Sequence, residues 1–236
     1  MINILISFNE RSDMLSGGIQ VIPFYIVCDA STSMRGSRIG SVNAGLPEIH
    51  RVIASDPVIS EKVRLGIISF SSSARVDLPL SQLSEVRQMP VLVAKGRTNF
   101  EDAIHLARQT IQADVTRLKA EGFSVLRPVV YFITDGRPTG GWKRLRDEWV
   151  DRATNPYAPN IISFGVDLAD KENLSRMSTQ YTFVSRVGVD PGVALREIIR
   201  SIAASVVASG LHQEGGLVMP AAGENFEVLD AQAKPN

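Results

Sequence analysis

The sequence predicts an α/β domain whose largely parallel, doubly wound sheet is covered by helices on both faces. Three observations predict it. Runs such as 21–28 and 129–134 are almost continuously apolar, as strands buried on both sides must be. Longer stretches carry apolar residues three and four positions apart, the spacing of a helix with one inward stripe. The two kinds of segment alternate along the chain, and such alternation builds parallel strands joined by crossover helices. At 236 residues the chain suits one such domain, large enough to fold without a disulfide or a structural metal.

Residues 1–20 read as an N-terminal leader. Their apolar stretch is short, no basic segment precedes it and no small-residue cleavage site follows. The first core strand, 21–28, stops at Asp29. A Gly/Ser-rich loop leads to a helix over about 37–54, with Ile39, Val42, Leu46, Ile49 and Ile53 on one stripe. Asp56-Pro57 closes that region. Residues 63–70 form a second strand, Ser71-Ser72-Ser73 a turn, and 74–78 an alternating, half-exposed strand, together an antiparallel hairpin at one sheet edge. A long helix over about 99–120 carries Phe100, Ala103, Ile104, Ala107, Ile111 and Val115 inward and ends at Gly122. Residues 127–134 are a buried strand that stops at Asp135. Residues 142–153 are helical, 160–166 a strand, 171–177 a short helix and 181–184 a short strand. Asp190-Pro191 opens a last helix that reaches about residue 209. The domain therefore spans 21–210. Periodicity is lost beyond it, and 211–236 read as a tail, mobile or docked by its apolar pieces.

Composition narrows the function. Lys and Arg total 25, as do Asp and Glu, so there is no basic footprint for nucleic acid. No run approaches the roughly 18 apolar residues of a membrane-spanning helix. Cys28 is the one cysteine; it excludes an internal disulfide and fits a reducing compartment, so a cytoplasmic location is expected. Inside an apolar strand it reads as a small buried hydrophobe. Phosphate-cradling glycine motifs and the nucleophile elbow are absent. His50, His105 and His212 fit no zinc pattern. Asp167 and Asp170 lack the calcium-loop spacing and suit turn and helix-cap roles. The basic run Lys143-Arg144-Leu145-Arg146 is relieved at once by Asp147 and Glu148, as on a solvated helix face.

Five oxygen-bearing side chains suggest a metal site. Asp29, Ser31 and Ser33 follow the first strand; Thr98 precedes the long helix; Asp135, in Thr134-Asp135-Gly136, follows a later strand. In doubly wound sheets ligands bind in the crevice beyond the carboxyl ends of the strands. Hydroxyls and carboxylates are the hard oxygen donors that Mg2+ takes, with Mn2+ or Ca2+ as alternatives. Taken singly, each residue also fits a turn or a helix cap. With only two carboxylates around it, a divalent ion stays electrophilic, and an Asp or Glu of a protein partner can complete its coordination. Arg97 can reinforce that carboxylate by a forked hydrogen bond. Met34, Arg137 and Trp142, on the loops around the site, are the other expected partner contacts. The rival reading is a metal-dependent phosphoesterase using the same ion to activate water, but no motif places a general base nearby.

These residues resemble the metal-ion-dependent adhesion site of von Willebrand factor A domains, over about residues 21–209. The resemblance implies that Asp29, Ser31, Ser33, Thr98 and Asp135 are the ligands. It further implies a Rossmann-like sheet of about six strands with one antiparallel edge strand, and no intrinsic catalysis. Thr32 and Arg97 depart from it, because many members carry glycine at both positions. Within the family, the stretches Asp29 to Gly36 and Thr134 to Thr139, with Trp142, resemble bacterial TerY-type tellurium-resistance proteins. That implies an adaptor beside a protein kinase and a PP2C-like phosphatase in stress or defence operons.

Overall fold

The computed structural model describes residues 5–6, 18–167, 169–212, 217–221 and 223–230. The elements in chain order are β1 (Leu5–Ile6), β2 (Gln20–Asp29), α1 (Ser37–Ala54), α2 (Pro57–Lys62), β3 (Val63–Phe70), β4 (Ala74–Ser81), α3 (Phe100–Ala120), β5 (Ser124–Val125), β6 (Val129–Thr134), α4 (Trp142–Val150), β7 (Asn160–Gly165), α5 (Lys171–Met177), β8 (Tyr181–Ser185), α6 (Pro191–Leu211), β9 (Leu217–Val218) and β10 (Phe226–Asp230). The main sheet runs β10-β8-β7-β6-β2-β3-β4, and the short β5 pairs with β2. Strands β2, β3, β6, β7 and β8 are mutually parallel, with β4 antiparallel on one edge and β10 antiparallel on the other.

Alternation along β2 makes the layers. Ile22, Phe24, Ile26 and Cys28 join a core shared with α1 and α6, including Leu46, Ile49, Ile198 and Ile202. Val21, Tyr25 and Val27 face the other way, into a core with α3 and α4 that includes Ile104, Ile111 and Trp149. Every β2 residue from Val21 to Asp29 is buried, which is why the strand reads as one apolar run rather than an alternating one.

Several expectations needed correction. The sheet has seven strands in its path plus β5, not six, and both edges are antiparallel. The extra edge is β10, from the segment read as a tail, mobile or docked by its apolar pieces; the part described is docked. Phe226 is buried and Leu217 of β9 enters the core, while β9 also pairs with β1. Apart from Leu5, Ile6 and 18–20, the leader lies outside the described residues. So do 213–216, 222 and 231–236 of the tail. After α1, Asp56 does not simply close the region: its carboxylate accepts from the backbone amides of Val58 and Ile59 and caps the unanticipated α2. Helix α4 ends at Val150 rather than 153, because Asp151 turns the chain by accepting from Ala153 N and Thr154 Oγ1.

Candidate metal centre

Two neighbouring strands deliver the carboxylates. Cys28 of β2 is in register with Ile133 of β6, so Asp29 and Thr134 emerge side by side at the carboxyl edge of the sheet. The Thr134 hydroxyl donates to Asp29 Oδ2 at 2.5 Å and accepts from Gly136 N at 3.1 Å. The other Asp29 oxygen, Oδ1, accepts from Ser31 N at 2.7 Å, so the Asp29 carboxylate holds the loop that follows it. Ser31 and Ser33 share a hydrogen bond between their hydroxyls (2.9 Å), and Ser33 Oγ donates to Asp135 Oδ1 at 2.7 Å. The loop after β2 is thereby joined to the loop after β6.

Thr98 arrives on a third loop. Lys95 N donates to Ala30 O (2.7 Å) and Thr32 N to Gly96 O (3.0 Å), lacing the 94–99 segment to the first loop. Gly96 has φ +77, and a Cβ there would come within 2.6 Å of Ser72 Oγ, so this crossing requires glycine. Thr139 N and Oγ1 both donate to Thr98 O at 3.1 Å, tying the third loop to the β6 loop. Asn99, not Thr98, caps α3 by accepting from Asp102 N, which leaves the Thr98 hydroxyl for the site. A Cβ on Gly136 would lie 2.9 Å from Thr98 Oγ1 and 3.5 Å from Asp29 Oδ2, so both oxygens border one small space at that glycine.

All five candidate ligands are thus gathered at one point of the sheet edge. Asp29 (0%), Ser31 (2%), Asp135 (4%) and Thr98 (9%) are almost wholly shielded from solvent, while Ser33 is exposed. Burial pushes the Asp29 carboxyl up to about 6, against the pull of the Thr134 and Ser31 hydrogen bonds. Burial also raises Asp135, offset by the Ser33 hydrogen bond and the Arg38 charge. Two desolvated carboxylates beside three hydroxyls form an all-oxygen donor set suited to a hard divalent cation. Among the described residues no group of three or more His, Cys, Asp or Glu side chains could hold a metal, so this mixed set is the candidate.

The expected partner contacts divide. Arg97 and Arg137 are exposed beside the site. Met34 (0%) and Trp142 (2%) are core instead; Trp142 meets Phe100 edge-on with ring centroids 5.4 Å apart. Each is the large apolar residue of a short segment with little else to bury, and the sheet face below takes it in. Thr134 ends β6 as expected, but its hydroxyl has a role at the site that was not foreseen, donating to Asp29 Oδ2. Equally unforeseen is an ion pair between Arg38 and Asp167, with Arg38 Nε 3.5 Å from Asp135 Oδ2. Arg38 further donates to Ser33 O at 3.0 Å. Asp167 is the described non-glycine residue with positive φ (54°), held by a bond from its amide to Ser185 Oγ. No local signal foretells a contact across so long a stretch of chain.

Comparison with known proteins bears on this geometry. A family model described as the von Willebrand factor type A domain matches residues 24–190. No curated protein matches the sequence. Similar solved structures include the pilus adhesin SpaC from Lactobacillus rhamnosus GG in its open conformation (15% identity, TM-score 0.61, 80% of this chain and 30% of that one). A von Willebrand factor type A protein from Catenulispora acidiphila is similar at 13% identity, TM-score 0.56, over 80% and 43%. So is proximal thread matrix protein 1 from the mussel byssus, solved with zinc in its adhesion-site motif, at 14% identity, TM-score 0.55, over 80% and 48%. The chain thus spans less than half the length of each of these structures, and at such identities the likeness concerns the fold alone.

Proposed function

The chain belongs to the von Willebrand factor type A domain family, and from that premise we propose that it is a Mg2+-dependent protein-binding module. Domains of this family commonly work as metal-dependent interaction modules rather than as enzymes. The reading rests on one observation: hydroxyls and carboxylates from three loops, laced together by cross-loop hydrogen bonds, converge on a single point at the sheet edge.

Ser31, Ser33 and Thr98 would hold the cation through their hydroxyls. Asp29 and Asp135 orient those groups: Asp29 through the Ser31 amide, Asp135 through the Ser33 hydroxyl. A divalent ion held there would supply an electrophilic position for a carboxylate such as a partner's Asp or Glu. The zinc in the mussel protein's adhesion-site motif supports a divalent cation without choosing Mg2+, so Mn2+ and Ca2+ are tested beside it. The same reading extends to the setting suggested by the TerY-type motifs: a cytoplasmic adaptor in a bacterial tellurium-resistance, stress or phage-defence system, with a protein kinase and a PP2C-like phosphatase as partners.

Isothermal titration with Mg2+, Mn2+, Ca2+ and Zn2+ tests the site. Parent protein is expected to bind one divalent ion, and Ser33→Ala or Thr98→Ala to bind it at least about tenfold more weakly. Candidate kinase and phosphatase partners are then assayed for binding in Mg2+ and in EDTA. Retention that ignores EDTA would sink the adaptor reading. Phosphoester turnover abolished by Asp29→Ala would replace it with a hydrolase.

A further inference from the structure

The three loops that build the metal centre differ in charge from the rest of the molecule. Residues 30–38, the first loop and the opening of α1, carry Arg35 and Arg38, residues 94–99 carry Lys95 and Arg97, and residues 135–141 carry Arg137, whereas Asp135 is the one acidic residue in these segments, with Asp29 just before the first. Across the whole chain the charges balance at 25 and 25, so this is a local excess.

Arg38 is occupied by Asp167 and Asp135. Arg35, Lys95, Arg97 and Arg137 are exposed, and none forms an ion pair with a described carboxylate. Each stands next to an atom that shapes the site. Arg35 Nε donates to Ala94 O at 3.4 Å, reaching from the first loop across to the second. Lys95 N is bonded to Ala30 O. Arg97 precedes Thr98, its amide fixed by Ser72 Oγ at 3.0 Å. Arg137 follows Gly136, the residue that borders both Thr98 Oγ1 and Asp29 Oδ2.

Cations beside a cation site repel the metal they surround. Such an arrangement gains nothing for metal affinity, yet it complements a partner that brings more negative charge than one carboxylate can supply. Resting on the reading of the site as a metal-dependent protein-binding centre, we propose that the partner element is an acidic protein segment. One of its carboxylates meets the metal, and neighbouring Asp or Glu side chains meet Arg35, Lys95, Arg97 and Arg137. Single-stranded nucleic acid fits less well, because among the described residues no large aromatic side chain is exposed for bases to stack on.

The test uses fluorescence anisotropy on the full chain in saturating Mg2+. The probes are a labelled oligoglutamate, a Gly/Ser peptide carrying one Glu, and an oligothymidylate of similar length. Oligoglutamate is expected to bind at least about tenfold tighter than the single-Glu peptide, and the advantage to shrink as salt rises from about 50 to about 300 mM. The variant Arg35→Gln/Arg97→Gln/Arg137→Gln is expected to lose that advantage, while its Mg2+ affinity stays level or rises. Arg→Lys at the same positions should keep most of it, showing that charge is responsible. Equal affinity for the two peptides, or a triple variant that binds oligoglutamate like the parent, overturns the proposal. Tighter binding of oligothymidylate than of oligoglutamate overturns it too. A parent that takes up no Mg2+ but still binds oligoglutamate through these arginines would overturn the metal reading and leave the acidic partner standing.

Discussion

Asp29 shows how folding can hold a single side chain in an unfavourable charge state. Its carboxyl, fully buried and pushed up to about 6, is easier to protonate in the folded protein than in the unfolded chain. The folded state therefore binds the extra proton between the ordinary carboxylate range and about 6, and this group's contribution to stability falls as pH rises through that window. Above it, the ionised carboxylate costs metal-free protein up to roughly 3 kcal/mol. Asp29→Asn is accordingly expected to be more stable than the parent in EDTA at pH 7 but not at pH 4, as read by urea unfolding. Metal affinity runs the opposite way in pH: protons compete below about 6, so titrations should show binding weaken there and level off above. Gly136 makes a steric counterpart. A methyl group there would press on Thr98 Oγ1 from 2.9 Å, and because the residue lies in a loop the core is untouched. Gly136→Ala should weaken metal binding roughly 10- to 100-fold, with the melting temperature in EDTA almost unchanged.

At the level of elements, the placing of the site depends on helices seated close to the sheet. Helix α1 follows directly from the Ser31/Ser33 loop, and its position is set by contact with α6. A Cβ on Gly45 would come within 2.5 Å of Ile199 Cγ2 and 3.0 Å of Ile199 Cβ. Ile199 is buried and has no free space to retreat into. Gly45→Ala would gain about 1 kcal/mol in helix propensity but lose about 1–3 kcal/mol to overpacking. A net loss of about 1 kcal/mol is expected, and a larger one for Gly45→Val, both measurable as a lower urea midpoint. Its partner Ile199 lies on α6, far off in sequence, so nothing local to Gly45 foretells the contact.

For the whole molecule, the balance is between a sheet that folds on its apolar content alone and a site that burdens it. The core on both faces of β2 is complete without a metal, so removal of metal should lower stability without unfolding the domain. At a free-ion level about 100-fold above the dissociation constant, binding to the folded state alone adds about 2.7 kcal/mol. For a chain of this size that corresponds to a rise of roughly 5–10 °C in melting temperature over the EDTA sample. A scan in which Mg2+, Mn2+ and EDTA coincide would contradict it. Among the described residues no helix is long and apolar enough to cross a membrane.

Much of this architecture was written in local chemistry. The nearly continuous apolar runs of β2 and β6, and the mostly apolar β3 and β7, read as strands buried on both faces, and the three- and four-residue stripes of α1, α3 and α6 as helices against them. The gathering of the candidate donors at one sheet edge was legible because Asp29 and Asp135 each stand where an apolar run stops. What packing alone decided was which elements meet and which side chains turn inward. Phe226 makes β10 an edge strand because β8 offers unpaired backbone groups and the core offers a place for its ring, neither of which is encoded within residues 226–230. Met34 and Trp142, read as outward contacts, are drawn under their loops because burying a large apolar side chain outweighs leaving it in water. Arg38 finds Asp167 and leans on Asp135 only because the β2, β6 and β7 loops end at the same height of one twisted sheet. Periodicity and residue type act within a few positions of the chain, whereas strand register and loop convergence are set by the free energy of the assembled layers.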